Sequence, residues 1–259
     1  MFEPRVAAAS LSGESDAEWA LTAEPYVGCA FLGGLALGGQ ARAAARSLVD
    51  RERTEFLPES PIRFLDRQLS SLDAADLRPA FNVRSVDPTA IAEAATVCAD
   101  HGAILEVNAH CRQSEMCDAG AGETLLRDTE RLCEQVAAAA EAGPAVSVKV
   151  RAEVPGVDLP RLSRTLVDSG ADALHVDAMD SEPVIAEVVS AAPEAFVIAN
   201  NGVRDRRSAH RYLEHGADAV SVGRPSDDPA ILKRVRDAVD GWFDDGISDP
   251  ADPGVTPDA

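Results

Sequence analysis

What most constrains this chain is a recurrence. Short β-branched runs alternate with longer Ala-, Leu-, Arg- and Glu-rich stretches of helical period along nearly its whole length. Strands are expected near 5–9, 26–31, 80–84, 103–108, 145–151, 173–178, 195–200 and 219–223. The clearest helical patterns lie at 88–101, 122–142, 159–169, 206–215 and 229–242. Two units begin alike, with Gly170-Ala-Asp-Ala before one strand and Gly216-Ala-Asp-Ala before another. A glycine there ends the preceding helix in a left-handed turn, so both are helix–turn–strand joints. Eight βα units within about 245 residues suit a closed parallel barrel. The expected fold class is therefore α/β, a single-domain (β/α)8 TIM barrel over residues 1–243, with an open doubly wound sheet as the alternative. Residues 244–259 are rich in Asp, Pro and Gly and poor in apolar side chains, and are expected to form a disordered acidic tail.

The alternation inside the strands says where chemistry can sit. In Val146-Ser-Val-Lys-Val-Arg151 the valines share one face, and Ser147, Lys149 and Arg151 the other. Glu106 and Asn108 separate in the same way from Leu105 and Val107. Asn82 and Arg84 separate from Phe81 and Val83, and His175 and Asp177 from Leu174 and Val176. In a barrel these polar residues point into the lumen, toward the carboxyl ends of the strands, where barrel active sites lie. A salt-bridge network capping the barrel is the alternative for any one of them; for the set, a site is the better reading. Two late loops add a phosphate signal. Asn200-Asn-Gly-Val203 follows the seventh strand and Ser221-Val-Gly-Arg224 the eighth, where glycines let backbone N–H groups approach an anion.

Composition sharpens one residue. Of 24 basic side chains only Lys149 and Lys233 are lysines, so an ammonium at an inward strand end stands out. Acidic residues number 44 and the formal charge is −20, a surface that suits a cytosol at molar salt. Disorder over most of the chain and a basic nucleic-acid coat are excluded. The cysteines (Cys29, Cys98, Cys111, Cys117, Cys133) are odd in number and form no C-x-x-C pair. No disulfide framework, zinc ribbon or other metal site is expected, although a redox or metal pair of Cys111 and Cys117 with His110 stays open. The longest nearly apolar run, 26–39, is too short to span a bilayer. A soluble, cytoplasmic protein with no membrane contact is expected.

Glu106-Val-Asn-Ala-His-Cys-Arg-Gln113, with Gly120-Ala-Gly122 and Leu125-Leu126 behind it, resembles the N-x-G-C-P…G-x-G-x-x-L-L signature of tRNA-dihydrouridine synthases. These are FMN-dependent barrels related to dihydroorotate and dihydropyrimidine dehydrogenases. Ser147-Val-Lys-Val-Arg151 is similar to the family's T-V-K-x-R strand, and Ala9-Ser-Leu-Ser-Gly13 with Asp16 to its opening motif. The resemblance runs from about Pro4 to Arg224; only 35 residues follow, so an archaeal-type short form without the C-terminal RNA-binding domain is expected.

The resemblance implies an FMN-dependent oxidoreductase, with NAD(P)H as electron donor, reducing the C5=C6 bond of a uracil-type base in tRNA. Lys149 would face the flavin N1–C2 edge, Asn82 would bind the ring, and His175 would be the active-site histidine. Asn201, Gly202, Gly223 and Arg224 would hold the phosphate. Asn108 would hydrogen-bond the pyrimidine, with Arg112 beside it, and Cys111 would be the acid that protonates C5. The chain departs from the pattern at His110 (Gly in the family), at Arg112 (Pro), and at His175-Val-Asp177, where the family has H-x-R. Two other functions remain. One is the same chemistry on a free pyrimidine, and the other a flavin- or phosphate-binding barrel without turnover.

Overall fold

The computed structural model describes residues 1–178 and 180–244. Eight parallel strands close on themselves in sequence order: β1 (Val6–Ala8), β2 (Cys29–Ala36), β3 (Arg78–Arg84), β4 (Ile104–Asn108), β5 (Ala145–Arg151), β6 (Ala173–Asp177), β7 (Phe196–Asn200) and β8 (Ala219–Val222). β1 pairs with both β2 and β8, which excludes the open sheet. Around them run α1 (Ala17–Ala23), α2 (Gly38–Val49), α3 (Pro61–Ser70), α4 (Pro88–Asp100), α5 (Ser114–Asp118), α6 (Thr129–Glu141), α7 (Leu159–Asp168), α8 (Val184–Ala191), α9 (Arg206–Glu214) and α10 (Pro229–Asp244). The expected tail lies outside the described residues, except for Asp244, which ends α10. Among the described residues no helix is long and apolar enough to cross a membrane.

Part of the abundant aspartate has a structural use. Asp16, Asp87, Asp128, Asp158 and Asp205 cap α1, α4, α6, α7 and α9, each carboxylate accepting from a backbone N–H of the first turn. The two Gly-Ala-Asp-Ala joints behave alike. Gly170 and Gly216 take φ +109° and +88°, and the next aspartates, Asp172 and Asp218, accept from Val146 N and Val197 N at 2.8 Å. Each joint thereby ends a helix and ties down the start of the neighbouring strand.

Two expectations needed correction. β2 runs over Cys29–Ala36 rather than 26–31, because its two glycines continue the strand through a register shift against β3. A Cβ on Gly33 would sit 2.3 Å from Asn82 O, so glycine marks a close backbone approach there and does not end the strand. The helix expected at 122–142 is two pieces, a 3₁₀ turn over Gly122–Leu126 and then α6, parted where Asp128 caps.

Candidate active site

The lumen is built in layers, and each strand climbs through them two residues at a time. Ala7, Cys29, Phe31, Ala80, Ile104, Ile198 and Ala219 fill the amino-terminal end, closed below by Phe2 against Phe196. The outward-facing valines and leucines pack with the helices in a separate, larger core. One step up, the lumen turns polar. Glu106 is fully buried there and accepts from Asn82 Nδ2 (2.6 Å), Ser147 Oγ (3.1 Å) and His175 Nδ1 (2.7 Å). Burial works to raise this carboxyl, but His175, Lys149 and Asn82 outweigh it and hold Glu106 below the ordinary carboxylate range.

The third layer forms the mouth, a cavity of about 370 Å³, within the roughly 300–1,000 Å³ of small-molecule sites. Its wall includes Ser10 from the loop after β1, His110 after β4, Lys149 on β5, Asp177 on β6, Asn201 and Gly202 after β7, and Gly223 and Arg224 after β8. Lys149 is 3% exposed, and its ammonium makes no hydrogen bond or ion pair among the described residues. Burial pushes it below the ordinary lysine range, opposed by Glu106 beneath it and Asp177 beside it. Asp177 Oδ1 accepts from Asn201 Nδ2 (2.8 Å), and Oδ2 lies 2.5 Å from His110 Nε2.

The loops after β7 and β8 both reach this cavity. Asn201 and Gly202 take φ +93° and +69°, and Tyr212 of α9 pins the turn by donating to Asn201 O (2.9 Å). A Cβ built on Gly202 or Gly223 would meet nothing within 4 Å, so both backbones lie open to the cavity. Arg224 is exposed at the rim.

Five expected site residues stand off the cavity wall. His175 is fully buried in the middle layer, with Nδ1 on Glu106, Nε2 at 2.8 Å from Ser221 Oγ, and Phe31 4.8 Å below the ring. Both nitrogens are thus engaged by protein partners, one layer below the cavity wall. Burial holds it below the ordinary imidazole range. Asn82 is equally buried, giving Nδ2 to Glu106 and accepting from Asn108 Nδ2 at 2.9 Å. Asn108 is a loop brace: its Oδ1 takes the backbone N–H groups of His110 (3.1 Å) and Cys111 (2.9 Å). Arg112 is exposed and lines no part of the cavity.

Cys111 is half-buried and packs against a group made of Ala36, Ala41, Ala44, Ala45, Leu48 and Met116, outside the cavity wall. The Arg84 guanidinium lies beside its thiol and is itself ion-paired to Glu55, both side chains being almost fully buried. Gly122 lets this loop close, since a Cβ there would sit 2.3 Å from Cys111 O. Sequence reasoning turned Asp177 inward and set His110 beside the cysteines, but missed the pairing of the two. The signal available was that both are polar on adjoining loop and strand ends. Glu55 carries no such signal, because it lies between helices with no period to place it.

The dihydrouridine synthase (Dus) family model matches residues 64–245. The uncharacterized protein MJ0144 of Methanocaldococcus jannaschii is 26% identical over 236 residues, which covers 86% of this chain and 89% of that protein. A tRNA-dihydrouridine synthase B of Xanthomonas axonopodis is 30% identical over 155 residues, 55% of this chain and 47% of that one. The match thus spans about half of that relative's length. Among solved structures, a ligand-free DHODH from Eimeria tenella superposes with a TM-score of 0.69 at 13% identity, over 94% of this chain and 85% of that one. The same enzyme in complex with ferulenol gives 0.64 at 12% identity, over 92% and 82%. At such identity the likeness speaks to the fold alone.

Proposed function

This chain belongs to the dihydrouridine synthase family, and on that premise we propose that it is an FMN-dependent oxidoreductase reducing the C5=C6 double bond of a uracil-type base in tRNA, with NAD(P)H as electron donor. Lys149 carries the reading. A buried ammonium that hydrogen-bonds none of the described residues, on the wall of a cavity, calls for an electron-rich group from a ligand. The bare backbones at Gly202 and Gly223, with Arg224 beside them, suit a phosphate at the other side of the same cavity. These two features together fit FMN, which when bound supplies a hydride.

The side chains divide the work around that hydride. Lys149 neutralises negative charge developing on the ring edge it faces, an effect strengthened by its dry surroundings. Asn201 and Gly202 present the turn that holds the phosphate, and Tyr212 keeps that turn in place. Glu106 below Lys149 favours the ammonium against burial, and Lys149 in turn helps hold Glu106 below the ordinary carboxylate range.

The test has two stages. Purified protein in molar KCl should bind FMN with a visible flavin band, and tRNA from a strain lacking the protein should lose dihydrouridine. Protein that fails to take up FMN overturns the reading at its base. Unchanged dihydrouridine in the deletion strain, with turnover of a free pyrimidine by the purified protein, removes tRNA as the substrate and keeps the flavin.

A further inference from the structure

The reduction needs a proton as well as a hydride, and the thiol that the resemblance offers does not face the cavity. The residue before it does. We propose that His110, oriented by Asp177, is the acid that protonates C5 of the base. This rests on the reduction reading above.

The tautomer follows from the partners. Asp177 Oδ1 accepts from Asn201 Nδ2 at 2.8 Å and Oδ2 lies 2.5 Å from His110 Nε2. An ionised carboxylate only accepts, so Nε2 keeps its hydrogen, and Nδ1 is left to carry the proton that moves. The only ring hydrogen bond of His110 among the described residues is the one at Nε2, and the ring belongs to the cavity wall beside Lys149. Its backbone is fixed by the N–H bond to Asn108 Oδ1. The ring is thus held from two sides with one nitrogen free, the arrangement of a base or acid oriented by a carboxylate. Cys111 instead lies against Arg84 and the group around Met116.

The step balances. C6 takes a hydride, both electrons coming from a reduced flavin, and C5 takes the proton from His110 Nδ1. The C5=C6 π bond is lost and two C–H bonds form. His110 is left neutral, with Asp177 still holding Nε2–H, and regains its proton from water at the open mouth.

The charges facing His110 predict where it titrates. Asp177 on β6 favours the imidazolium; Lys149 and Arg151 on β5 oppose it, His175 lies below, and Arg204 and Arg224 reach the cavity from the last two loops. Burial, the largest influence, and the two β5 cations hold the ring below the ordinary imidazole range against Asp177. The protonated donor is therefore depleted as pH rises toward neutrality, and turnover falls with it. An ordinary thiol titrates at about 8.5, so a thiol donor would put the limb on the alkaline side.

Single-turnover reoxidation of dithionite-reduced, FMN-loaded protein by unmodified tRNA, followed from pH 5 to 9.5 in molar KCl, separates the two. For the wild type we expect a rate that descends below neutral pH, and for His110→Gln a loss of about 10²–10⁴ together with that limb, in protein that still carries flavin. A limb in the thiol range that disappears in Cys111→Ala, with His110→Gln retaining the rate, overturns the proposal. Imidazole ¹⁵N NMR gives a readout without substrate. His110 should be the Nε2–H tautomer with a depressed pKa that falls further in Asp177→Asn; an Nδ1–H tautomer also overturns it. Wild-type protein that binds FMN but reduces neither RNA nor free uridine fails the reduction reading itself, and that result is distinct from turnover that survives in His110→Gln.

Discussion

The two ends of the barrel lumen are made by the same strands and differ in kind. Moving mouthward in steps of two, Ile104 gives way to Glu106 and Asn108, Ala145 to Ser147, Lys149 and Arg151, and Ala173 to His175 and Asp177. The floor is apolar and sealed. The mouth holds Asp177 beside a lysine and a histidine whose charged forms burial penalises. Each end also carries a histidine beside aspartate. At the floor end His101, in the turn between α4 and β4, lies 3.0 Å from Asp66 and 3.1 Å from Asp73, and the Asp66 contact first of all raises its pKa. At the mouth His110 is shifted the other way, because burial there outweighs Asp177. The same pair of residue types is thus shifted in opposite directions at the two ends of the barrel.

The largest expected effect breaks the floor. Phe31 is fully buried between the apolar plug and the His175 ring. Phe31→Ala should cost about 3–5 kcal/mol, the usual range for a buried aromatic, measured by guanidinium denaturation. FMN affinity measured under folding conditions should change far less than stability. If affinity falls while stability holds, floor and mouth are not separate in function.

The second effect has the opposite sign. Because burial lowers the pKa of Lys149 in the fold, the unfolded chain binds the extra proton more readily. The resulting cost to stability is complete below the folded pKa and vanishes as pH rises to the unfolded value of about 10.4. Lys149→Met should therefore gain about 1 kcal/mol at neutral pH, with the gain shrinking toward pH 10, while FMN is no longer retained. A variant less stable at pH 7 would mean that Lys149 chiefly stabilises Glu106, as a floor residue would.

How far the sequence reveals this division depends on what its periodicity can encode. Period two told which of Ser147, Lys149, Arg151, Glu106, Asn108, His175 and Asp177 turn inward, and all are buried in the lumen. It carries no height. His175 and Lys149 are register partners across β5 and β6, yet the ring ends in the Glu106–Ser221 layer while the longer lysine lines the cavity. Side-chain length and partners decided between them. The β7 and β8 loops were legible because a turn open to an anion requires glycine or asparagine, and the sequence shows both. The Arg84–Glu55 pair was not, since half of it comes from a stretch between α2 and α3 that no repeating pattern marks.

The smallest effect compares the two histidines directly through the pH dependence of stability. His101 has a raised folded pKa, so its contribution is fully present below the ordinary unfolded value of about 6.5 and is lost as pH rises through the folded value. His101→Gln should then be less stable than the wild type near pH 5.5, by at most about 1 kcal/mol since water and salt screen its exposed partners. The two curves should meet on the alkaline side of neutrality. For His110 the folded pKa is lowered, and protonation of the unfolded chain draws stability away from the wild type as pH drops below about 6.5. His110→Gln should accordingly gain relative to the wild type at pH 5.5 and lose that advantage toward pH 8. The measurement is a pair of difference curves from denaturation at constant KCl between pH 5 and 8.5. Opposite slopes are expected; slopes of the same sign would show that the two ends of the barrel treat a histidine–aspartate pair alike.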